Sequence, residues 1–262
     1  MKLLKILKTM LPAAVLSSAM ALPVAAAELT EIKSAGAINI GVLIDFPPYG
    51  ILNTDNQPDG YDATVAKMLA KDLGVEINLV PVTGPNRIPF LLSGQVDVLV
   101  SSLAITPARA EKVDFSTPYA AIRIGVMGEA DLAIKSAEDL AGVSVAVARA
   151  SGQDTTITEI APKETEIRRF DDDVSAVQAL LSGQVQALGA SNTVMAQIRQ
   201  AAPGKFDEKF TLNQFNLAIA VTPDAPELLA YANDFIARVT ASGALNDAHM
   251  SWLDEPLPDF SK

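Results

Sequence analysis

The sequence contains no cysteine and a single histidine, His249. Without thiols there is no disulfide framework, no Cys-His nucleophile pair and no lipid-accepting cysteine to tether a processed chain to a membrane. One imidazole cannot assemble the usual transition-metal clusters, so neither a metal nor a cofactor is expected. Basic residues are also scarce: 20 Lys and Arg stand against 31 Asp and Glu, for a formal charge of −11. A chain of that sign is a poor partner for nucleic acid or anionic lipid. Long apolar runs are missing as well. The best candidate, Met10 to about Val24, falls short of the ~20 residues that span a bilayer.

That run is preceded by Lys2, Lys5 and Lys8 and followed by Ala25, Ala26 and Ala27. The order of charged, apolar and small residues is that of a secretory signal peptide, so residues 1–27 are read as a cleavable leader and the mature chain is expected to begin near Glu28. Removing the leader removes three lysines and no acid, which makes the mature chain more acidic still. No later segment replaces the leader as an anchor. The mature protein is expected to diffuse freely in a periplasm, as a monomer. Its length, with 49% hydrophobic residues, fits one large domain or two of ordinary size.

Apolar runs bounded by turn residues alternate with stretches of helical period, the signature of an α/β sheet. Ala37 to Ile44 reads as a buried strand ended by Pro47, Pro48 and Gly50, and Asp62 to Leu73 as a helix with Val65, Met68, Leu69 and Leu73 on one face and Gly74 as its stop. Strands at Val75 to Val82 and Val96 to Ser101 flank a short helix at Asn86 to Leu92. The series then restarts: strands at Val143 to Ala148, Thr165 to Phe170 and Val185 to Leu188, helices at Asp172 to Leu181 and Thr193 to Ala201. Between the series lies an extended stretch, Asp114 to Val126. A second, Phe215 to Val221, precedes a long helix, Pro226 to Ala241. If both extended runs cross between the series, the chain folds as two lobes: 28–121 with 217–262, and 122–216.

In open parallel sheets a ligand binds beyond the carboxyl ends of the strands, where helix N-termini present unpaired N–H groups. Four places qualify. The first is the turn Asp45-Phe46-Pro47-Pro48-Tyr49, stiff enough to hold an aromatic ring. The second is Ser101 to Thr106 with Arg109, where hydroxyls, free backbone N–H groups and a guanidinium together form a carboxylate clamp. The third is the small-residue turn Ala150-Ser151-Gly152-Gln153, suited to an anion. The fourth is Ala190-Ser191-Asn192.

With these in place the chain resembles the periplasmic solute-binding proteins of ABC transporters for polar amino acids. The resemblance rests on Asp45 to Tyr49, Gly60-Tyr61-Asp62, Gly94-Gln95-Val96-Asp97, Ser101 to Thr106 with Pro107 and Arg109, Val113-Asp114-Phe115-Ser116 and Pro118-Tyr119, in the family's order and spacing. It implies a two-lobed fold, each lobe a sheet flanked by helices, joined by two crossing hinge strands and closing over a small ligand before docking on a membrane permease. It further implies that Arg109 grips the ligand's α-carboxylate, that Ser102 and Ala104 contact the ligand, that Phe46 stacks on it, and that Ser151 and Gly152 form the second lobe's carboxylate-binding turn. Two positions depart from the pattern. Ala104 replaces a serine or threonine, and Ser191 stands where relatives place the aspartate that pairs with the ligand's ammonium. An unpaired ammonium in a closed cleft is costly, so either Asp45 or another acid substitutes or the ligand lacks that group. Asn86-Arg87-Ile88-Pro89 resembles binders of acidic amino acids, which implies that Arg87 reads a second carboxylate or another polar acceptor.

Two other classes fit the same fold: a dehydratase acting on cyclic carboxylates, with Asp45 as its acid, and a sensory module working through a separate receptor. No paired acid-base constellation supports an enzyme. His249 is expected on the surface, Asp171, Asp172 and Asp173 as a helix cap, Phe115 and Tyr119 as hinge-side packing, and Trp252 as a core anchor for the chain's end.

Overall fold

A computed structural model describes residues 29–260; the expected leader, 1–27, lies outside them. The first part of the chain runs α1 (Leu29–Ala35), β1 (Ala37–Leu43), β2 (Ile51–Leu52), β3 (Pro58–Asp59), α2 (Tyr61–Leu73), β4 (Glu76–Val82), α3 (Arg87–Leu92), β5 (Val98–Leu99) and α4 (Pro107–Ala110). A long strand, β6 (Asp114–Glu129), leads into β7 (Ser144–Ala148), α5 (Gly152–Ile160), β8 (Glu166–Phe170), α6 (Asp173–Leu181), β9 (Ala187–Ser191) and α7 (Asn192–Ala201). The chain returns through a second long strand, β10 (Phe206–Val221), and ends in α8 (Pro226–Ala241) and α9 (Ala244–Leu253).

The strands lie in the order β4-β1-β5-β10-β6-β9-β7-β8. β1 pairs in parallel with β4 and β5 on one side, and β7 pairs in parallel with β8 and β9 on the other. Antiparallel β6 and β10, each 16 residues, run between the two sets and pair with each other from Asp114–Val221 to Glu129–Phe206. This is the two-lobed α/β fold. The expected crossing points fall inside that ladder, where Ala121 faces Asn216 and Ile122 faces Phe215.

Burial follows the apolar pattern. Along β1, Ile38, Ile40 and Val42 are sealed from solvent. α2 turns Val65, Leu69 and Leu73 inward, and α8 turns Leu228, Ala232, Phe235 and Ile236, at spacings of three and four. Boundaries shift mainly where the sequence carries no turn residue. β10 begins at Phe206, well before the expected Phe215, because Asp207-Glu208-Lys209 and Asn213-Gln214 break the apolar run that marks a strand in the sequence. The helix α9 was not expected, and it overturns the reading of His249. That ring is buried, edge-on to Tyr61 at 5.3 Å, with Nδ1–H donating to the Glu255 carbonyl at 2.7 Å. Trp252 anchors the same helix by donating from Nε1 to Thr64 Oγ1 at 2.9 Å.

No helix among the described residues is long and apolar enough to cross a bilayer.

Candidate functional site

The carboxyl ends of β1, β5, β7 and β8 converge on one cleft between the lobes. Its walls include Asp45, Phe46, Arg87, Ser102, Ala104 and Arg109 on one side and Ser151, Gly152, Gln153, Asp171, Asp172 and Asp173 on the other. Ile122, Ile124, Phe215 and Leu217 of the two long strands form the floor.

The turn after β1 is fixed by backbone. Phe46 and Gly50 exchange both N–H···O bonds at 2.9 Å. Gly50 leaves no room for a side chain, since a Cβ there would lie 2.2 Å from the Leu43 carbonyl oxygen. Gly60, at φ 114, is constrained in the same way by the Tyr49 carbonyl at 2.4 Å. The carbonyls of Pro48 and Tyr49 then accept the N–H groups of Tyr61 and Asp62. α2 thus has no side-chain cap because the turn caps it. Phe46 faces the cleft and Tyr49 stacks behind it, 5.2 Å away and 10° from parallel. Tyr49 is itself buried and outside the cleft lining, and serves Phe46 as backing.

On the β5 side, Ser102 adopts a left-handed conformation, φ 47. Its hydroxyl donates to Asp62 at 2.7 Å, and its N–H donates to the Tyr119 hydroxyl at 3.0 Å, which in turn donates to the other Asp62 oxygen at 2.8 Å. Asp62 is completely buried, and desolvation raises its pKa to about 7 against the pull of the two hydroxyls and Arg87. Tyr119, expected to be packing, is therefore part of the site's foundation. Ser101 points away from the cleft; its hydroxyl is buried without a partner among the described residues, and its carbonyl receives Arg87. Ala104 bridges Leu217, and its carbonyl accepts from Arg109 Nη1 at 2.8 Å.

The two arginines meet across the lobes. Arg109 Nη2 donates to the Ala150 carbonyl at 2.8 Å, and Arg87 Nη2 donates to the same oxygen at 3.3 Å. Arg87 also donates to the carbonyls of Gly84, Ser101 and Ser102. It is a buried framework charge with most of its N–H groups already committed, which leaves little of it to read a ligand's far end. Arg109 has no acidic partner among the described residues. Burial, then the neighbouring Arg87 charge, lowers its pKa to about 9.

The second lobe supplies the turn from β7 into α5. Ala150 is left-handed, φ 58. Ser151 caps the helix by accepting from the Asp154 N–H, and Asp154 reciprocates by accepting from the Ala150 N–H at 3.0 Å. Gly152 packs so tightly on Phe215 that a Cβ would come within 2.8 Å of the ring. Beyond β8, Asp172 caps α6 through the Ser175 N–H, as the sequence led one to expect. The same triplet also lines the cleft, a second role that its capping role concealed. Asp173 accepts from Gln153 Nε2 at 3.1 Å, and burial with Asp45 and Asp172 nearby raises its pKa to about 7. Asp45 is raised too, by burial and then by Asp172.

Ser191 is sealed beneath the surface and absent from the cleft lining. Its hydroxyl caps α7 by accepting from Val194 N–H at 3.2 Å. The acids that reach the cleft are Asp45, Asp171, Asp172 and Asp173.

The sequence profile of the bacterial extracellular solute-binding proteins, family 3, matches residues 38–255. The chain belongs to that family. It is 32% identical over 199 residues to the glutamine-binding protein of Geobacillus stearothermophilus, covering 73% of this chain and 76% of that one. Among solved structures, the solute receptor for L-cysteine of Neisseria gonorrhoeae superposes with a TM-score of 0.81 at 30% identity, covering 87% of this chain and 94% of the receptor. An ancestral amino-acid-binding protein, AncCDT-1, described as a precursor of cyclohexadienyl dehydratase, gives 0.79 at 32% identity over 86% of this chain and 98% of its own. Family membership makes this chain a solute-binding protein.

Proposed function

We propose that the protein captures a small polar amino acid in a periplasm and delivers it, as a monomer, to the permease of an ABC transporter. The lobes divide at 121/122 and 216/217, and residues 1–27 are the secretory leader. The observation that carries the reading is the polarity of the cleft: an unpaired Arg109 guanidinium on one lobe faces three aspartates on the other, with Phe46 beside them. A zwitterion satisfies both ends. Its α-carboxylate takes the free N–H groups of Arg109 and the backbone of the Ser151–Gly152 turn. Its ammonium takes the acidic side, so that Asp45 and Asp173 stand in for the aspartate that Ser191 replaces. A second carboxylate on the ligand would meet those same acids, so the acidic amino acids are disfavoured relative to neutral polar ones.

The test is isothermal calorimetry with L-glutamine, L-cysteine and L-glutamate, followed by uptake of the labelled binder in cells with and without the adjacent permease. Binding of a neutral polar amino acid and permease-dependent uptake are expected. A preference for glutamate would restore Arg87 as a ligand reader.

A second reading is kept by the likeness to the dehydratase precursor: with Asp173 held near neutral pKa in the cleft, a general acid is available. Product formation from a cyclohexadienyl carboxylate by the purified protein would establish it.

A further inference from the structure

We infer that Asp62, which does not itself line the cleft, is a positioning residue that makes Ser102 a hydrogen-bond acceptor toward the ligand and so selects a donor there, the ammonium of an amino acid. The inference rests on the reading of the cleft as an amino-acid site and adds a selector on the first lobe to the acids of the second.

A serine hydroxyl has one hydrogen and two lone pairs. The hydrogen of Ser102 is committed to Asp62 Oδ2 at 2.7 Å, and its backbone N–H to the Tyr119 hydroxyl at 3.0 Å. Toward the cleft, which Ser102 lines, the residue offers oxygen lone pairs and no proton. It therefore cannot help hold a carboxylate, although its sequence neighbourhood reads as a carboxylate clamp. The arrangement is rigid. Tyr119 bridges Ser102 N–H and Asp62 Oδ1, and its own main-chain carbonyl accepts from Tyr61 at 2.7 Å. Asp62 and Tyr119 are fully buried. The left-handed Ser102 backbone, uncommon outside glycine and asparagine, is held by this network and by Arg87 on its carbonyl.

The charge behind the hydroxyl matters as much as its direction. Asp62 faces the hydroxyls of Ser102 and Tyr119, has Arg87 as the cation opposing its burial, and has the Tyr49 and Tyr61 phenols beside it. An ionised Asp62 polarises the Ser102 oxygen toward the cleft. Protonation would leave one carboxyl oxygen a donor and free the Ser102 hydrogen to turn outward. Its pKa of about 7 places that change near neutrality.

The experiment compares L-glutamine and L-cysteine with glutaramate and 3-mercaptopropionate, the same skeletons lacking the ammonium, by calorimetry at pH 8 and pH 6. Asp62→Asn puts an amide donor against Ser102 and reverses its hydroxyl. The preference for the ammonium-bearing probe should fall about tenfold or more, the scale of one charge-assisted hydrogen bond, while the deaminated probes bind as before. Ser102→Ala, which removes the acceptor and keeps the Asp62 carboxylate in place, should erase the preference to a similar extent, with circular dichroism checking that the variant is folded. In the native protein the preference should shrink between pH 8 and pH 6. Asp45 and Asp173 also face the cleft, so the share owed to Asp62 is the pH dependence that Ser102→Ala removes. A merely structural role for Asp62 would weaken all four probes alike, and that outcome overturns the inference. So does an unchanged preference in Ser102→Ala, even if Asp62→Asn fails to fold. If the native protein binds none of the four probes, the amino-acid reading itself fails and this inference falls with it.

Discussion

The two walls of the cleft are built on opposite plans. On the first lobe the cleft-facing groups stand on buried supports: Phe46 on Tyr49, Ser102 on Asp62 and Tyr119, Arg109 on the Ala104 carbonyl. On the second lobe the facing groups are a small-residue turn and a run of aspartates, with Asp171 92% exposed and only loosely paired with Arg149 at 3.8 Å. A wall with buried supports fixes geometry before the ligand arrives. The acids of the second wall differ among themselves: Asp171 is exposed, whereas burial raises the Asp173 pKa to about 7. The contrast teaches that, on the proposed reading, the first lobe supplies the fixed part of the amino-acid site and the second lobe its acids and free amides.

Substitutions can break that comparison. The largest effect is expected from Arg109→Met, which removes the clamp while keeping the side chain's bulk. Affinity for the bound amino acid should drop about a hundredfold, in line with loss of charged hydrogen bonds worth roughly 1.5–3 kcal/mol each, with the melting temperature of the free protein nearly unchanged. If calorimetry shows less than a threefold loss, the first lobe is not the anchor. Phe46→Ala comes next. It strips a buried ring that packs on Tyr49, so it should cost about 3 kcal/mol of stability in urea unfolding as well as weaken binding.

Gly152→Ala probes the other wall. The added Cβ must displace the Phe215 ring, an overpacking cost of about 1–3 kcal/mol. Because the clash lies where the lobes meet the hinge strands, small-angle scattering should find closure on ligand impaired. The subtlest test concerns Asp173. Its pKa in the folded chain is raised to about 7, above the ordinary value of 3.8, so the folded state holds its proton more tightly than the unfolded one. That contribution is fully present below pH 3.8 and is lost as pH rises toward 7. Asp173→Asn should therefore flatten the fall in stability of the ligand-free protein between pH 4 and 7, and leave the mutant slightly more stable than the parent at pH 8. A mutant that follows the parent's pH profile unchanged would show that the aspartate is solvated, not buried.

The sequence disclosed most of this unevenly. β1, α2, α3, α6, α7 and α8 were legible because apolar spacing and terminal glycine, proline, serine or aspartate mark them, and the α8 limits, Pro226–Ala241, coincide with the expected ones. Arg109, Phe46 and the Ser151–Gly152 turn could be assigned to strand ends by the same logic. What escaped were pairings between distant residues. Nothing local tells that Asp62 lies 2.7 Å from Ser102, forty residues on, or that Tyr49 stands behind its neighbour instead of in front of the ligand. Asp173 was hidden for a different reason: a capping role explained the aspartate run well enough that its outward face went unread. His249 looked exposed because α9 has no strong apolar period to announce its burial.

The carbonyl of Ala150 receives guanidinium groups from two separate segments of the opposite lobe. A main-chain oxygen cannot be substituted away, so on the acceptor side this fastening between the halves is indifferent to the side chain at 150 and depends on whether the residue can hold its left-handed turn. Changes to the cleft lining at positions 45, 153 or 173 can therefore accumulate without touching this acceptor, whereas a β-branched residue at 150 would strain it.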